Sequence, residues 1–183
     1  KPGTFSSSGY RASSSRPDWG RSKGPLRLAR MDADVVGPEL WEAQVTAASF
    51  EECGEHRRVI LHHTAVPDAT LRQGDPASEA AYMRRIEGLH LERGWQAVGY
   101  HLVIMPSGRV FAGRPMWALG AHAAGHNRGA VGIALAGDFE KELPTRAAIG
   151  SLARVRGSLS LVCHGDLMPT ACPGARLREA LRA

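Results

Sequence analysis

Three cysteines in 183 residues are too few for a disulfide framework, and a chain of this length can bury a core without metal or disulfide staples. No apolar run reaches the roughly 18 residues that a membrane-spanning helix needs, so no span is expected. The chain opens on Lys1 with no methionine and no hydrophobic signal core. A signal peptide is therefore expected to have been removed or never to have existed. Internal repeats are missing too, which excludes solenoid and propeller architectures.

Basic residues are absent from 31–56, where seven acidic groups stand (Asp32, Asp34, Glu39, Glu42, Glu51, Glu52, Glu55). Residues 1–30 reverse this, with seven Lys or Arg against Asp18 alone, so the formal net charge of +5 sits entirely in an N-terminal arm. One reading is that residues 1–30 hold an anionic envelope polymer such as teichoic acid or lipopolysaccharide, with an affinity that falls as salt rises. Nucleic acid is the less favoured anion. The other readings are an arm folded back on the acidic segment, or a solvated tail. The stretch "KPGTFSSSGYRASSS" predicts a flexible Ser-rich basic tail over 1–15. Trp19 in "PDWG" is the first candidate anchor for a domain over 16–183.

From Arg57 onward the patterning is strong. "RVILHH" reads as a strand buried on both faces. Residues 77–93 read as a helix, with Tyr82, Met83, Ile86, Leu89 and His90 at helical spacing. "YHLVIM" and "RVFAG" flank the turn signal "PSG" and predict a hairpin. A long loop over 114–129 leads into another buried strand, "VGIALAG". A helix follows Pro144 and Thr145, then a last strand, "LSLVCH", and a short terminal helix, "ARLREALRA". A short helix is possible within 38–50. This order predicts a single α/β domain with a central mixed β-sheet flanked by helices.

His62 and His164 each end a predicted strand, and Cys172 follows on a Pro/Gly loop. Ligand sites in α/β sheets form just beyond strand ends, where distant parts of the chain converge. The histidines lie 102 positions apart, which excludes the tight spacing of a zinc finger. Three protein ligands with one open position describe a catalytic zinc, and imidazole and thiolate both suit it. His62 and His63 alternate across a strand, so both do not serve one ion.

The blocks "VILHHTA", "GWQAVGYHLVIMPSGRVFAGRP", "GAHAAGHNRGAVGIALAGDF" and "HGDLMPTACPG" occur in an order that resembles the peptidoglycan recognition protein and type-2 N-acetylmuramoyl-L-alanine amidase family, which includes small phage endolysins. The similarity runs from about Arg57 to Gly174, and "SRPDWG" is similar to the segment that often begins a recognition-protein domain. By position, the resemblance implies His62 (rather than His63), His164 and Cys172 as ligands of Zn2+. It implies hydrolysis of the amide between N-acetylmuramic acid and L-alanine in bacterial peptidoglycan. Family members that only bind peptidoglycan typically carry serine in place of this cysteine, so Cys172 favours an enzyme. Tyr100 of "GYH" and Thr170, two residues before the cysteine, are the implied catalytic helpers.

His63, His122 and Asn127 are expected at the substrate groove, the alternative for the last two being a loop held by its own hydrogen bonds. His90 is expected to be structural. Asp166 either orients a metal ligand or caps a turn, and Cys163 should point away from the metal. Gln96 and Ala97 depart from the family, which usually has an acidic residue there. The expected setting is a monomer that is secreted or lyses from within a phage-infected cell, acting in the envelope. The alternatives are a non-catalytic peptidoglycan-binding module and a regulator acting through the basic arm.

Overall fold

"RVILHH" carries three consecutive apolar residues, and only its first position, Arg58, is partly exposed. In a computed structural model, which describes residues 35–44 and 49–182, it forms a strand with five consecutive buried residues. The basic arm, the Ser-rich tail and Trp19 lie outside the described residues. The strands are β1 (Val35–Val36), β2 (Arg58–His63), β3 (Leu102–Ile104), β4 (Val110–Ala112), β5 (Ala130–Leu135) and β6 (Ser160–Cys163). They make one six-stranded sheet in the order β1-β4-β3-β5-β2-β6. Only β3 and β4 pair antiparallel, joined through the "PSG" turn; every other neighbouring pair is parallel. The expected mixed sheet is what forms. β1 was not visible in the sequence, and of the possible helix within 38–50 the described residues show a 3-10 turn at Pro38–Leu40.

Helices cover both faces. On one, Ala148, Leu152 and Val155 of α2 (Arg146–Arg156) and Leu177 of α3 (Ala175–Ala180) pack on Val59, Leu61, Leu102 and Ile133. On the other, Tyr82, Met83 and Ile86 of α1 (Pro76–Glu92) pack on Val98, Val103 and Phe111. The ends of these helices are written locally. Asp75 caps α1 by accepting the Ser78 N–H at 2.8 Å, with Pro76 in the first turn, and Thr145 caps α2 through the Ala148 N–H at 3.1 Å. No helix among the described residues is long and apolar enough to cross a membrane.

Two buried histidines tie the segment before β3 to α1, to β5 and to the loop over 114–129. His90, on α1, accepts the Gly99 N–H on Nδ1 at 3.0 Å. His101 accepts the Gly132 N–H on Nδ1 at 2.9 Å and donates from Nε2 to the Ala118 carbonyl at 2.9 Å. His90 is thus structural, as its place on the buried stripe suggested. Burial pushes both imidazoles down, each to about 4, since a charged ring there would lose its water.

Acid should therefore destabilise the fold. An unfolded histidine protonates near 6.5 whereas these two resist until about 4, so within that window the unfolded chain binds protons that the folded chain refuses. Stability is full above the window and falls with pH inside it, by up to about 1.4 kcal/mol per pH unit per histidine. Urea midpoints of the metal-free protein at pH 7 and pH 5 check this, and equal midpoints would contradict it.

Candidate metal centre

Strand register builds the centre. β2 and β6 run parallel with Leu61 opposite Cys163, so one residue further His62 stands beside His164. In-register residues of parallel strands point to the same face, and the two imidazole centroids lie 4.4 Å apart. Cys163 and His63 fall on the opposite face. Cys163 packs into the core beneath α2 and α3, while His63 Nδ1 accepts the Phe139 N–H at 3.2 Å. All three cysteines are free thiols; Cys53 is buried with Sγ 3.6 Å from the Asn127 carbonyl oxygen.

The third donor returns on the loop after β6. His164–Asp166 form a 3-10 turn, and the Gly165 N–H donates to the Cys172 carbonyl at 2.8 Å, folding the loop back on itself. A side chain at Gly165 would meet the carbonyl oxygens of Thr170 and Cys172, 2.6 and 2.8 Å from its Cβ position, so the glycine of "HGD" is what permits this approach. Asp166 is the cap of the turn. Its Oδ2 accepts the Cys163 N–H at 3.1 Å and its Oδ1 pairs with Arg178 at 2.7 Å. Cys172 Sγ arrives 3.6 Å from His62 Nδ1. One ligand atom from each of His62, His164 and Cys172 lies within 4.8 Å of the others.

The donor set fits zinc. Two nitrogens and one sulfur are the atoms this ion prefers, and three protein ligands leave a position open. His62 is 1% exposed and Cys172 9%, whereas His164 is half-buried and Thr170 exposed, so the cluster is dry beneath and wet on one side. Burial, then the neighbouring His164, holds His62 well below the ordinary imidazole range; burial, followed by His126 and His63, depresses His164 as well. Burial also pushes the Cys172 thiol up to about 11, partly offset by the His63 backbone N–H. Neutral imidazoles are ready to ligate, and a divalent cation supplies the charge that a buried thiolate needs.

Around these donors stand the helpers. The Tyr100 ring lies 5.2 Å from that of His62 and 5.3 Å from that of His90. Burial, and after it the nearby Cys172, raises the Tyr100 phenol above its usual range, so it remains a hydrogen-bond donor at neutral pH. Thr170 Oγ1 accepts the Cys172 N–H at 3.3 Å. Asn127 Oδ1 accepts the backbone N–H groups of His122 (3.1 Å) and Ala123 (2.8 Å). His122 is buried beneath His62, with Nδ1 3.0 Å from His62 Nε2. Met168, absent from the sequence-based set, lays Sδ 2.7 Å from His164 Nε2. Nothing in the spacing of "GAHAAGH" or "HGDLM" signals these last two contacts, which depend on how each loop folds over the sheet.

A half-open His-His-Cys cluster at the strand ends of a mixed α/β sheet defines a domain with a candidate metal centre. Comparison places it further: the profile of the N-acetylmuramoyl-L-alanine amidase family matches residues 53–174, about two thirds of the chain, and the chain belongs to that family. The N-acetylmuramoyl-L-alanine amidase of Sus scrofa is 37% identical over 136 residues, 68% of this chain and 22% of that one. The endolysin of Enterobacteria phage T3 is 36% identical over 115 residues, 56% of this chain and 76% of that one. Peptidoglycan-recognition protein LE of Drosophila melanogaster is 33% identical over 135 residues, 68% of this chain and 38% of that one. A solved structure of peptidoglycan recognition protein LE, in complex with tracheal cytotoxin, superimposes with a TM-score of 0.72 at 25% identity, over 81% of this chain and 92% of that one. The chain thus spans about a fifth of the mammalian amidase and most of the phage endolysin.

Zinc titration of the chelator-stripped protein at pH 8 should give one equivalent per chain and release about one proton per ion, from the Cys172 thiol, since both imidazoles are already neutral. Cys172→Ser should weaken binding roughly 100-fold or more and abolish the proton release. Calorimetry in buffers of different ionisation enthalpy reads both. Absence of proton release from the wild type would rule out a thiolate ligand.

Proposed function

We propose that the chain is a zinc-dependent N-acetylmuramoyl-L-alanine amidase that cleaves the bond between N-acetylmuramic acid and L-alanine in bacterial peptidoglycan. The observation that carries this is the third donor. Cys172 reaches the histidine pair beside a protonated Tyr100, and the relatives similar to this region include proteins named as amidases and endolysins. His62, His164 and Cys172 would hold the zinc, which when bound supplies Lewis acidity toward a carbonyl and brings the pKa of water to about 7.

The chain's own groups do the rest. The Tyr100 phenol stands beside His62 and donates a hydrogen bond to the substrate oxygen as negative charge develops there, a contact stronger in the transition state than in the ground state. Thr170 accepts the Cys172 N–H, which leaves its hydroxyl proton to donate outward from the exposed rim toward the same oxygen. Asn127 holds the backbone at 122–123 and so shapes the wall of the groove. His164 and Thr170 are less buried than His62 and Cys172, so substrate enters on their side. His63 acts through its backbone N–H, which favours the thiolate of Cys172.

The setting follows from the same reading. The enzyme acts in the cell envelope, as a secreted monomer or as a phage lysis protein, and residues 1–30 keep it near anionic envelope polymers. Deleting residues 1–30 should weaken retention on purified walls and flatten its dependence on salt, as read by sedimentation at low and high ionic strength. The likeness to a recognition protein in complex with tracheal cytotoxin supports the alternative of a binding module. Chelation separates the two, because a binding module leaves walls intact with or without metal.

Mass spectrometry of digested muropeptides should show free L-alanine amino termini paired with intact N-acetylmuramic acid, and none after chelation. Tyr100→Phe should lower turnover roughly 100-fold with zinc content unchanged. A phenylalanine variant as fast as the wild type removes Tyr100 from the chemistry.

A further inference from the structure

The two ring nitrogens of His62 are committed differently. Nδ1 faces Cys172 Sγ at 3.6 Å, and Nε2 lies 3.0 Å from Nδ1 of His122. Only one proton fits between two imidazole nitrogens at that distance. A His62 that offers its Nδ1 lone pair to a cation carries its proton on Nε2, so His122 must accept it on Nδ1. The proton of His122 then sits on its own Nε2, a buried nitrogen with no hydrogen-bond partner among the described residues.

An orphaned polar atom beneath a ligand cluster calls for an explanation. The His122 ring is 7% exposed and lies against Gly120 and Gly132, where a Cβ on either glycine would overlap it. Its backbone N–H is held by Asn127 Oδ1 at 3.1 Å. Behind it stands His101, 5.8 Å between centroids, with both nitrogens engaged by backbone. Small residues above and below, a pinned backbone and a saturated neighbour leave the ring no room to turn and no second partner. Among the described residues, the ring's one hydrogen-bond contact is with His62.

On the reading that His62, His164 and Cys172 hold zinc, we infer that His122 is a positioning residue: by accepting the Nε2–H of His62 it fixes the tautomer and ring orientation that present Nδ1 to the ion. Ligating histidines commonly donate their other N–H to a carboxylate, carbonyl or water, and losing that partner weakens metal binding. Here a second imidazole takes that part, and the loop "GAHAAGH" exists in its compact, glycine-bounded form to deliver it.

The test uses the full chain and two substitutions. His122→Leu fills the space and cannot accept; His122→Asn places Oδ1 where Nδ1 was and can. Zinc affinity, read by competition with a chelator, should fall roughly 10- to 100-fold for leucine and recover to within a few-fold of wild type for asparagine, while the two metal-free variants melt alike. Leucine binding zinc as tightly as wild type, or asparagine as weakly as leucine, overturns the inference. Histidine nitrogen NMR of the wild-type zinc protein gives an independent reading that needs no variant. A proton on Nε2 of both His62 and His122 supports the assignment, and a proton on Nδ1 of His122 overturns it. Neither measurement uses peptidoglycan, so a chain that binds zinc in this way yet cuts no wall refutes the proposed activity and leaves the role of His122 standing.

Discussion

Leu61 lies opposite Cys163 across two parallel strands, and that registration decides where two imidazoles separated by a hundred residues come to rest. Both strands are anchored by apolar residues that must face the helices, so the register is over-determined by burial. A slip of one residue would turn His164 into the core beneath α2 and α3, and Cys163 toward the site. The ligand pair is therefore a by-product of core packing. Val59 and Leu61 hold β2 in place from one face while His62 works on the other.

The site stores an electrostatic imbalance. Each buried donor is held in its uncharged form: the imidazoles of His62 and His122 by desolvation, the thiol of Cys172 by the same cause. Without a cation this region carries polar groups with few partners, and His122 Nε2 has none among the described residues. A divalent ion would resolve most of that imbalance at once, because it would stabilise a thiolate and use neutral imidazoles as they stand. Folding has thus already met the cost of desolvating these donor atoms.

The loops divide the labour. The segment from His164 to Gly174 brings two of the three candidate ligands, His164 and Cys172, and an exposed hydroxyl, and it is braced by the Asp166 cap and the Arg178 ion pair. The segment over 114–129 places His122 Nδ1 3.0 Å from His62 Nε2, with Asn127 turned inward to the backbone it stabilises. A mammalian amidase and a phage endolysin, matched over 22% and 76% of their own lengths, are both similar to this region.

Much of this was legible in the residues alone. β2 and β5 announce themselves because central parallel strands are buried on both faces and read as continuous apolar runs, and α1 and α2 carry their caps as Asp75 and Thr145. The turn signal "PSG" marks the hairpin. His62, His164 and Cys172 could be nominated from strand ends and from the resemblance of four blocks. Tertiary structure decided what depends on contacts between distant segments. A two-residue edge strand such as β1 carries no periodicity to detect. Asp166 could have served the metal or the turn, and the nearness of Cys163 N–H and Arg178 settled it as a cap. His122 and Asn127 face protein, one toward His62 and the other toward the loop backbone, because glycine at 120 and 132 lets the loop sink onto the sheet. Local pattern encodes which face of an element is buried; which polar groups meet across that burial is set only when the strands take their register.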